Sequence, residues 1–124
     1  NLKIIEADVF QLLETNIADE TFDVVVFLYP DPWPKRKHHK RRLLSEGFLN
    51  ILYGKITTNG LVYCKTDWED YYCQIKEVFS SDDRWASEDL TNLPEYLQSL
   101  PKTKYERKAL IEGRQTRELF FRKA

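Results

Sequence analysis

The chain has 124 residues, 42% of them hydrophobic and 14% aromatic, which is enough for one modest core but excludes several large domains. No stretch approaches the roughly 20 consecutive apolar residues of a membrane span, and the N-terminus lacks the basic and then apolar pattern of a signal peptide. We therefore expect a soluble, cytoplasmic protein with no membrane partner, and the net charge of −1 at pH 7 excludes a generally basic protein.

The first half of the chain alternates strand and helix patterns. Residues 2–5 form a short β-prone run, and apolar residues recur at helical spacing over residues 9–13. Residues 22–29 are apolar on both faces, as is typical of a strand that is covered on both sides. Three prolines in residues 30–34 end this strand. From about His39 a new buried stripe at helical spacing predicts a helix.

The second half continues the alternation, with Asn59-Gly60 as the turn between a helix and a strand. The predicted elements are a strand over 61–66, a helix over 68–79, a weak strand over 84–90, an irregular connection over 92–102, a short helix over 105–112 and a strand over 117–122. This order predicts an α/β sheet that is largely parallel and binds ligands at the carboxyl ends of its strands.

Three acids follow the predicted strand ends. Asp8, Asp31 and Asp67 each come just after a strand, at the edge where open α/β sheets bind ligands. Asp is also common in turns and at helix N-caps. Three such acids, one of them beside a basic segment, favour a functional edge.

Asp31 stands between two prolines, so its backbone is stiff and its carboxylate is held in place. Trp33 adds a flat aromatic face nearby. A rigid acid beside an aromatic ring suits a pocket for a planar base, which can stack and donate hydrogen bonds. Core packing is the alternative role for Trp33.

Charge is concentrated in two basic segments. Residues 1–34 sum to −6, residues 35–42 to +6, residues 43–101 to −6 and residues 102–124 to +5. The segment 35–42 carries six cations in eight residues, which indicates contacts with the phosphates of RNA or DNA and a steep salt dependence. A solvated surface and a basic targeting signal are the alternatives.

The candidate RNA-binding residues are Lys37, His38, His39, Lys40, Arg41 and Arg42. The two histidines are adjacent, so they cannot both face one metal ion from a helix, and no metal site is predicted. The cysteines, Cys64 and Cys73, lack the paired spacing of metal sites or disulfides. We expect both to be buried or half-buried structural thiols.

Residues 30–43 read Pro-Asp-Pro-Trp-Pro-Lys-Arg-Lys-His-His-Lys-Arg-Arg-Leu. They closely resemble the bacterial tRNA (guanine-N7)-methyltransferase family, whose signature is a proline-flanked Asp-Pro-Trp followed by basic residues. Two further segments match in the right order, Lys-Thr-Asp at 65–67 and Thr-Lys-Tyr-Glu at 103–106. The resemblance spans nearly the whole chain. It implies a Rossmann-like class I methyltransferase fold, with a mostly parallel sheet and an antiparallel final strand. It also implies an enzyme that transfers a methyl group from S-adenosylmethionine to a guanine in the variable loop of tRNA.

The resemblance also implies roles for individual residues. Asp8 matches an acid that binds S-adenosylmethionine, and Asp31 matches the acid at the methyl-transfer centre, which makes it both a cofactor-binding and the catalytic residue. Lys35 and Asp67 match positions that contact the substrate, and residues 37–42 match the stretch that approaches tRNA. The segment that closes on the guanine matches Thr103, Lys104, Tyr105 and Glu106.

The chemistry fits this assignment. Guanine N7 has an in-plane lone pair, so it can attack the methyl group without first losing a proton, and positioning is the main task. The purine becomes cationic during transfer, and a fixed carboxylate such as Asp31 would stabilise that charge. Glu106 or Asp67 would accept hydrogen bonds from the Watson–Crick edge of guanine.

Two parts of the family pattern have no match, namely a glycine-rich turn after the first strand and an acid after the second. In the methyltransferase strand order 3-2-1-4-5-7-6, residues 2–5 would be the third strand, so the first two strands of the sheet are missing from this sequence. We therefore expect residues 1–124, which do not begin with methionine, to be the C-terminal part of a single methyltransferase domain. Alone it should bind S-adenosylmethionine poorly, and it should either lack an N-terminal half or form a homo-oligomer.

Two other interpretations remain open. A non-catalytic RNA-binding module derived from the family would keep the basic segment and transfer nothing. Amino-group methylation of DNA uses an Asp-Pro-Pro-aromatic tetrad, but residues 31–34 place the aromatic differently, which disfavours that class.

Overall fold

The computed structural model describes residues 2–124. Its helices and strands are, in order, α1 (Val9–Asn16), β1 (Phe22–Leu28), α2 (Glu46–Lys55), β2 (Ile56–Thr66), α3 (Glu69–Ser80), β3 (Trp85–Ser87), α4 (Glu95–Gln98), α5 (Lys104–Ile111) and β4 (Arg117–Lys123). Two 3₁₀ helices span Arg36–Arg41 and Leu90–Asn92. Within the described residues, no helix is long and apolar enough to cross a membrane.

The four strands form one sheet in the order β1-β2-β4-β3. β1 pairs with β2 in parallel, and β4 is antiparallel to both of its neighbours. β1, β2 and β3 therefore run in one direction and the last strand in the other. This confirms the prediction of a mixed sheet with parallel first strands and an antiparallel final strand.

Alternate residues of β2 and β4 face two separate cores, as the strand period of two requires. On β2, Val62 and Cys64 face α1, α2 and α3, whereas Leu61 and Tyr63 face the connection around residues 93–100. Helices thus cover one face, and the other face is closed mainly by this connection.

β2 begins earlier than the predicted residue 61. It starts at Ile56 and contains an irregularity, because its pairing with β1 jumps from Phe22↔Ile56 to Val24↔Leu61. Asn59 has a positive φ of 64° within this bulge. The Asn59-Gly60 pair therefore bends the strand instead of ending the preceding connection.

The helix predicted from about His39 begins at Glu46. Ser45 caps it, since the Ser45 side chain accepts a hydrogen bond from the backbone N–H of Phe48 at 3.4 Å. The residues before it form the first 3₁₀ helix, after which Arg42 is extended. Like charges at i, i+3 and i+4 disfavour a continuous α-helix through this segment.

The strand predicted over residues 2–5 does not form, which is a correction. In the described part of the chain β1 pairs only with β2, so this segment has no strand to pair with, and a strand needs its ladder of hydrogen bonds. Leu2 and Ile4 are 86% and 85% exposed.

The remaining elements lie close to their predicted positions. β3 is shorter than expected because the chain turns into the second 3₁₀ helix, which Asp89 caps. α4 lies in a connection that was predicted to be irregular.

Cys64 is buried, and this burial raises the pKa of its thiol to about 12. Cys73 is exposed on α3, contrary to prediction.

Candidate functional site

The loop after β1 holds its acid in a fixed turn. The Asp31 carboxylate accepts a hydrogen bond from the backbone N–H of Trp33 at 3.1 Å. Tyr29 and Trp33 have positive φ values of 52° and 41°, which are uncommon for residues with large side chains. Pro30 and Pro32 restrain the backbone on both sides of Asp31, as the sequence predicts.

A cavity of about 530 Å³ opens at the carboxyl ends of β1 and β2. It is lined by Tyr29, Pro30, Asp31, Pro32, Asp67, Trp68, Tyr105, Lys108, Glu112 and Arg114. Of the predicted site residues, the cavity brings together Asp31, Asp67 and Tyr105. Its size and mixture of aromatic and charged walls suit a ligand with a planar ring.

Asp67 forms an ion pair inside this cavity. Its Oδ2 accepts from Arg114 Nε at 2.6 Å, and the Asp67 side chain is 9% exposed. Arg114 also pairs with Glu112. Gly113, with φ 76°, ends α5 and turns the chain so that Arg114 points back to the sheet. One face of the Asp67 carboxylate is thereby fixed.

Glu106 follows the cavity residue Tyr105, does not itself line the cavity and is only 8% exposed. Lys65 Nζ donates to Glu106 Oε1 at 3.3 Å, with side chains 16% and 10% exposed. The Thr103 side chain caps α5 by accepting from the Glu106 N–H at 3.1 Å. The carboxylate of Glu106 is thus directed to the end of β2.

Tyr29 borders the same region. Burial raises the pKa of the Tyr29 phenol to about 12, and its hydroxyl lies 3.0 Å from Oγ1 of Thr116. A hydrogen bond and the charge of Glu106 raise this pKa further, against the lowering effect of Thr116. The phenol is therefore neutral at pH 7.

The basic segment presents an exposed face beside the cavity. Lys37, Lys40 and Arg41 are exposed, and His38 and His39 are half-buried. Trp33 does not line the cavity. It contacts this segment, with the Arg41 guanidinium 5.1 Å from its ring centre and the His38 ring edge-on at 5.7 Å. The expected stacking role of Trp33 at a pocket is therefore not what the structure shows.

Arg42 is also placed differently from the expectation. Its side chain is 2% exposed and donates hydrogen bonds to the Pro32 carbonyl, to Gln74 and to Asp70. Its guanidinium lies over the ring of Tyr71 at 4.8 Å. An RNA phosphate cannot reach a guanidinium so enclosed, so Arg42 is removed from the candidate RNA-binding residues.

Other predicted residues lie outside the cavity. Asp8 caps α1, where its Oδ1 accepts from the N–H of Gln11 at 3.2 Å, and it remains exposed. Lys35 and Lys104 are exposed, and Thr103 is half-buried as the cap of α5. In residues 2–124 no three His, Cys, Asp or Glu side chains are grouped in a way that could hold a metal ion.

Several cavity residues were missed by sequence reasoning. Tyr29 and Trp68 were assigned only to a strand and a helix, although each stands next to a predicted strand end. Lys108 and Arg114 belong to the basic C-terminal segment, whose charge was noted without an assigned site. The position of Gly113 after a predicted helix was a signal that could have directed attention to Arg114.

Comparison with known proteins gives the family. A family model described as "Putative methyltransferase" matches residues 1–119. A curated protein of Nitrosospira multiformis named tRNA (guanine-N(7)-)-methyltransferase is 36% identical over 99% of this chain and 53% of its own length. Proteins of the same name from Bordetella pertussis and Nitrosomonas eutropha are 35% and 36% identical over the whole of this chain.

These two relatives are covered over 48% and 55% of their own lengths, so the chain spans about half the length of the curated relatives it matches. The match includes the cavity loop, the strand end at Asp67 and the helix that carries Tyr105. Membership implies a methyl donor. The chain therefore belongs to this methyltransferase family, as its resemblance to the tRNA (guanine-N7)-methyltransferases indicated.

Proposed function

We propose that this chain forms part of an S-adenosylmethionine-dependent enzyme that methylates N7 of a guanine in the variable loop of tRNA. The observation that carries the proposal is the meeting of Asp31 and Asp67 in one aromatic-lined cavity next to an exposed basic segment. These acids follow two adjacent parallel strands. The names of the curated relatives support the same activity.

The strand order supports a Rossmann-like class I fold. The order β1-β2-β4-β3, with only β4 reversed, agrees with strands four, five, seven and six of the order 3-2-1-4-5-7-6. Together with the share of the relatives that is covered, this supports residues 1–124 as the C-terminal part of a single methyltransferase domain. Self-association stays a prediction, consistent with the exposed Leu2 and Ile4.

Two exposed carboxylates fit the proposed cofactor. S-adenosylmethionine would supply an electrophilic methyl group on a cationic sulfonium. The exposed Asp31 carboxylate at the cavity suits a neighbouring cation, and the exposed Asp8 suits the exocyclic amine of adenine as a donor. The four glycines, all isolated in the sequence, offer no glycine-rich turn for the remaining contacts.

The cavity walls fit a guanine. Tyr29, Trp68 and Tyr105 give it aromatic surface for stacking. Asp67 or Glu106 would accept hydrogen bonds from N1–H and the exocyclic amine, and of the two Asp67 is the one that lines the cavity. These contacts would orient N7 without any need to remove a proton.

Asp31 would act at the step itself. As the methyl group arrives, positive charge grows on the purine, and a carboxylate already held by its turn stabilises that charge without reorganising. Lys35, Thr103 and Lys104 remain proposed substrate contacts at the rim.

The basic segment would bind the tRNA backbone through Lys37, Lys40 and Arg41, with His38 and His39 beside them. Each phosphate contact should contribute about 0.7 to 0.9 to the slope of log affinity against log salt concentration. The exposure of these three cations supports this role.

The test is transfer of a labelled methyl group from S-adenosylmethionine to unmodified tRNA, using the longest form that the gene encodes. The modified base is mapped by chain cleavage at 7-methylguanine, and a tRNA with adenine at the mapped position is the control. We expect label at a variable-loop guanine and none in the control. Tight tRNA binding without transfer by a folded, cofactor-bound protein would instead favour a non-catalytic RNA-binding module.

A further inference from the structure

The Arg42 guanidinium joins the cavity loop to α3. Its Nε donates to the Pro32 carbonyl at 2.6 Å, one terminal nitrogen to Gln74 Oε1 at 2.6 Å and the other to Asp70 Oδ2 at 2.7 Å. The ring of Tyr71 lies against its face at 4.8 Å. All three nitrogens and one face of the plane are therefore occupied, as suits an arginine fork held in a fixed position.

The charge of this side chain is balanced within the protein. Partial burial alone would raise the pKa of Asp70, but the hydrogen bond and charge of Arg42, with the backbone N–H of Tyr71 and the nearby His39, together lower that pKa. The carboxylate of Asp70 thus stays ionised beside a guanidinium that is 2% exposed. Pairing at this depth leaves Arg42 no role as a free cation for a polyanion.

The accepting carbonyl belongs to the residue directly after Asp31. The turn that fixes the Asp31 carboxylate, through the N–H of Trp33, therefore includes the peptide that Arg42 holds. The loop itself has proline on both sides of Asp31, so it can move as a rigid unit relative to α3 unless something ties it down. The Arg42 hydrogen bond supplies that tie.

We propose that Arg42 is a positioning residue for methyl transfer, which anchors the Asp31 loop to α3 and does not contact RNA. The expected effect on kcat rests on the proposed function. Displacing a reacting group by about 1 Å can slow a reaction about 100-fold. Losing Arg42 should thus lower kcat on the order of 10- to 100-fold while the KM for tRNA stays within about two-fold.

The experiment compares two adjacent arginines in the longest form that the gene encodes. Arg42→Gln should lower kcat and leave the salt dependence of tRNA binding unchanged. Arg41→Gln, which removes an exposed cation, should reduce the salt slope by about 0.7 to 0.9. Arg42→Lys keeps the charge but not the fork, so it should fail to restore kcat. A salt slope that falls equally in Arg42→Gln and Arg41→Gln would overturn the proposal.

Asp70→Ala gives a second test that needs no change at Arg42. Asp70 is 53% exposed, so water can take the place of its carboxylate at the Arg42 guanidinium and limit the loss of stability, while the replacement removes one partner of that guanidinium. We expect a smaller fall in kcat in the same direction, less than additive with that of Arg42→Gln. A normal kcat in Asp70→Ala together with full rescue by Arg42→Lys would contradict anchoring.

Amide hydrogen exchange separates this proposal from the proposed function. The Trp33 N–H, which donates to Asp31, should lose protection several-fold in Arg42→Gln and in Asp70→Ala and keep it in Arg41→Gln. Unchanged protection of the Trp33 N–H in both Arg42→Gln and Asp70→Ala would refute the anchoring role of Arg42, even in an active enzyme. Lost protection in a protein that transfers no methyl group would support the anchor and count against the proposed function.

Discussion

Arg114 Nε donates to Asp67 Oδ2 at 2.6 Å and so connects the turn before β4 to the end of β2, inside the candidate cavity. Asp67 is the less exposed partner, at 9% against 33% for Arg114. The geometry fixes one carboxylate oxygen and leaves the other for a ligand. An acid that is held in this way needs no reorganisation when a base binds.

Under the proposed function, Arg114→Met should therefore impair methyl transfer. A hydrogen bond to a charged group contributes about 1.5 to 3 kcal/mol, so we expect kcat/KM for tRNA to fall roughly 10- to 100-fold. The matched control is Arg107→Met, which removes an exposed arginine of α5. Equal losses in the two variants would mean that net charge matters and that the contact with Asp67 does not.

Gly60→Ala should destabilise the fold. An added Cβ would lie 2.8 Å from the Thr57 carbonyl oxygen and closer still to the Ile56 side chain, within the bulge of β2. Overpacking of this kind costs about 1 to 3 kcal/mol. Gly47→Ala on α2 is the control, because its Cβ would meet nothing within 4 Å, and alanine should stabilise a helix there. Urea unfolding measures the stability of both variants. A Gly60→Ala variant as stable as the unsubstituted protein would contradict the bulge in β2.

Lys65→Met should cost about 3 kcal/mol of stability, because it leaves the Glu106 carboxylate buried without its cation. The double variant Lys65→Met/Glu106→Gln should recover part of that loss. Lys76→Met, on the exposed side of α3, should change the free energy of unfolding by less than about 0.5 kcal/mol. A double variant that is less stable than Lys65→Met alone would show that the pair is not coupled as described.

The Asp82–Arg84 pair should make stability depend on pH. Hydrogen bonds from Arg84 at 2.9 and 2.7 Å lower the pKa of the Asp82 carboxyl. A carboxyl whose folded-state pKa is depressed stabilises the fold above its unfolded pKa of about 3.9 and loses this effect as pH falls through the folded value. Exposure of Arg84 limits the contribution to about 1 kcal/mol or less.

Asp82→Asn should therefore be less stable than the unsubstituted protein at pH 6, and the two urea midpoints should converge toward pH 3. Asp83→Asn, which removes the neighbouring exposed carboxylate, controls for net charge. A difference that stayed constant from pH 6 to pH 3 would contradict the ion pair as its cause.

The main outline of the fold was predictable because strands and helices have different periods. The buried face of α3, with Tyr71, Ile75 and Phe79, follows directly from the helical period. Residues 2–5 were misread because β propensity does not supply a partner strand. Ile56 was missed as a strand start because Asn59-Gly60 is a turn signal, and the bulge that uses it depends on the pairing with β1.

The acids of the candidate site could be predicted from the sequence, but the side chains that pair with them could not. Asp31 and Asp67 were found because a parallel sheet brings strand ends together. Arg114 was given no site and Arg42 was assigned to RNA binding, because a count of cations along the chain does not reveal which of them fold inward. That choice is made by tertiary contacts, with Asp67 in one case and with Asp70 in the other.

The most direct test of the central claim is the single-turnover rate of methyl transfer to tRNA by Asp31→Asn. Asparagine keeps the size of the side chain and its capacity to accept a hydrogen bond from the Trp33 N–H, but it removes the charge. If Asp31 stabilises the cationic purine, the rate should fall about 100-fold or more while tRNA affinity stays unchanged. A near-normal rate in this variant would contradict the assignment of this cavity as the site of methyl transfer.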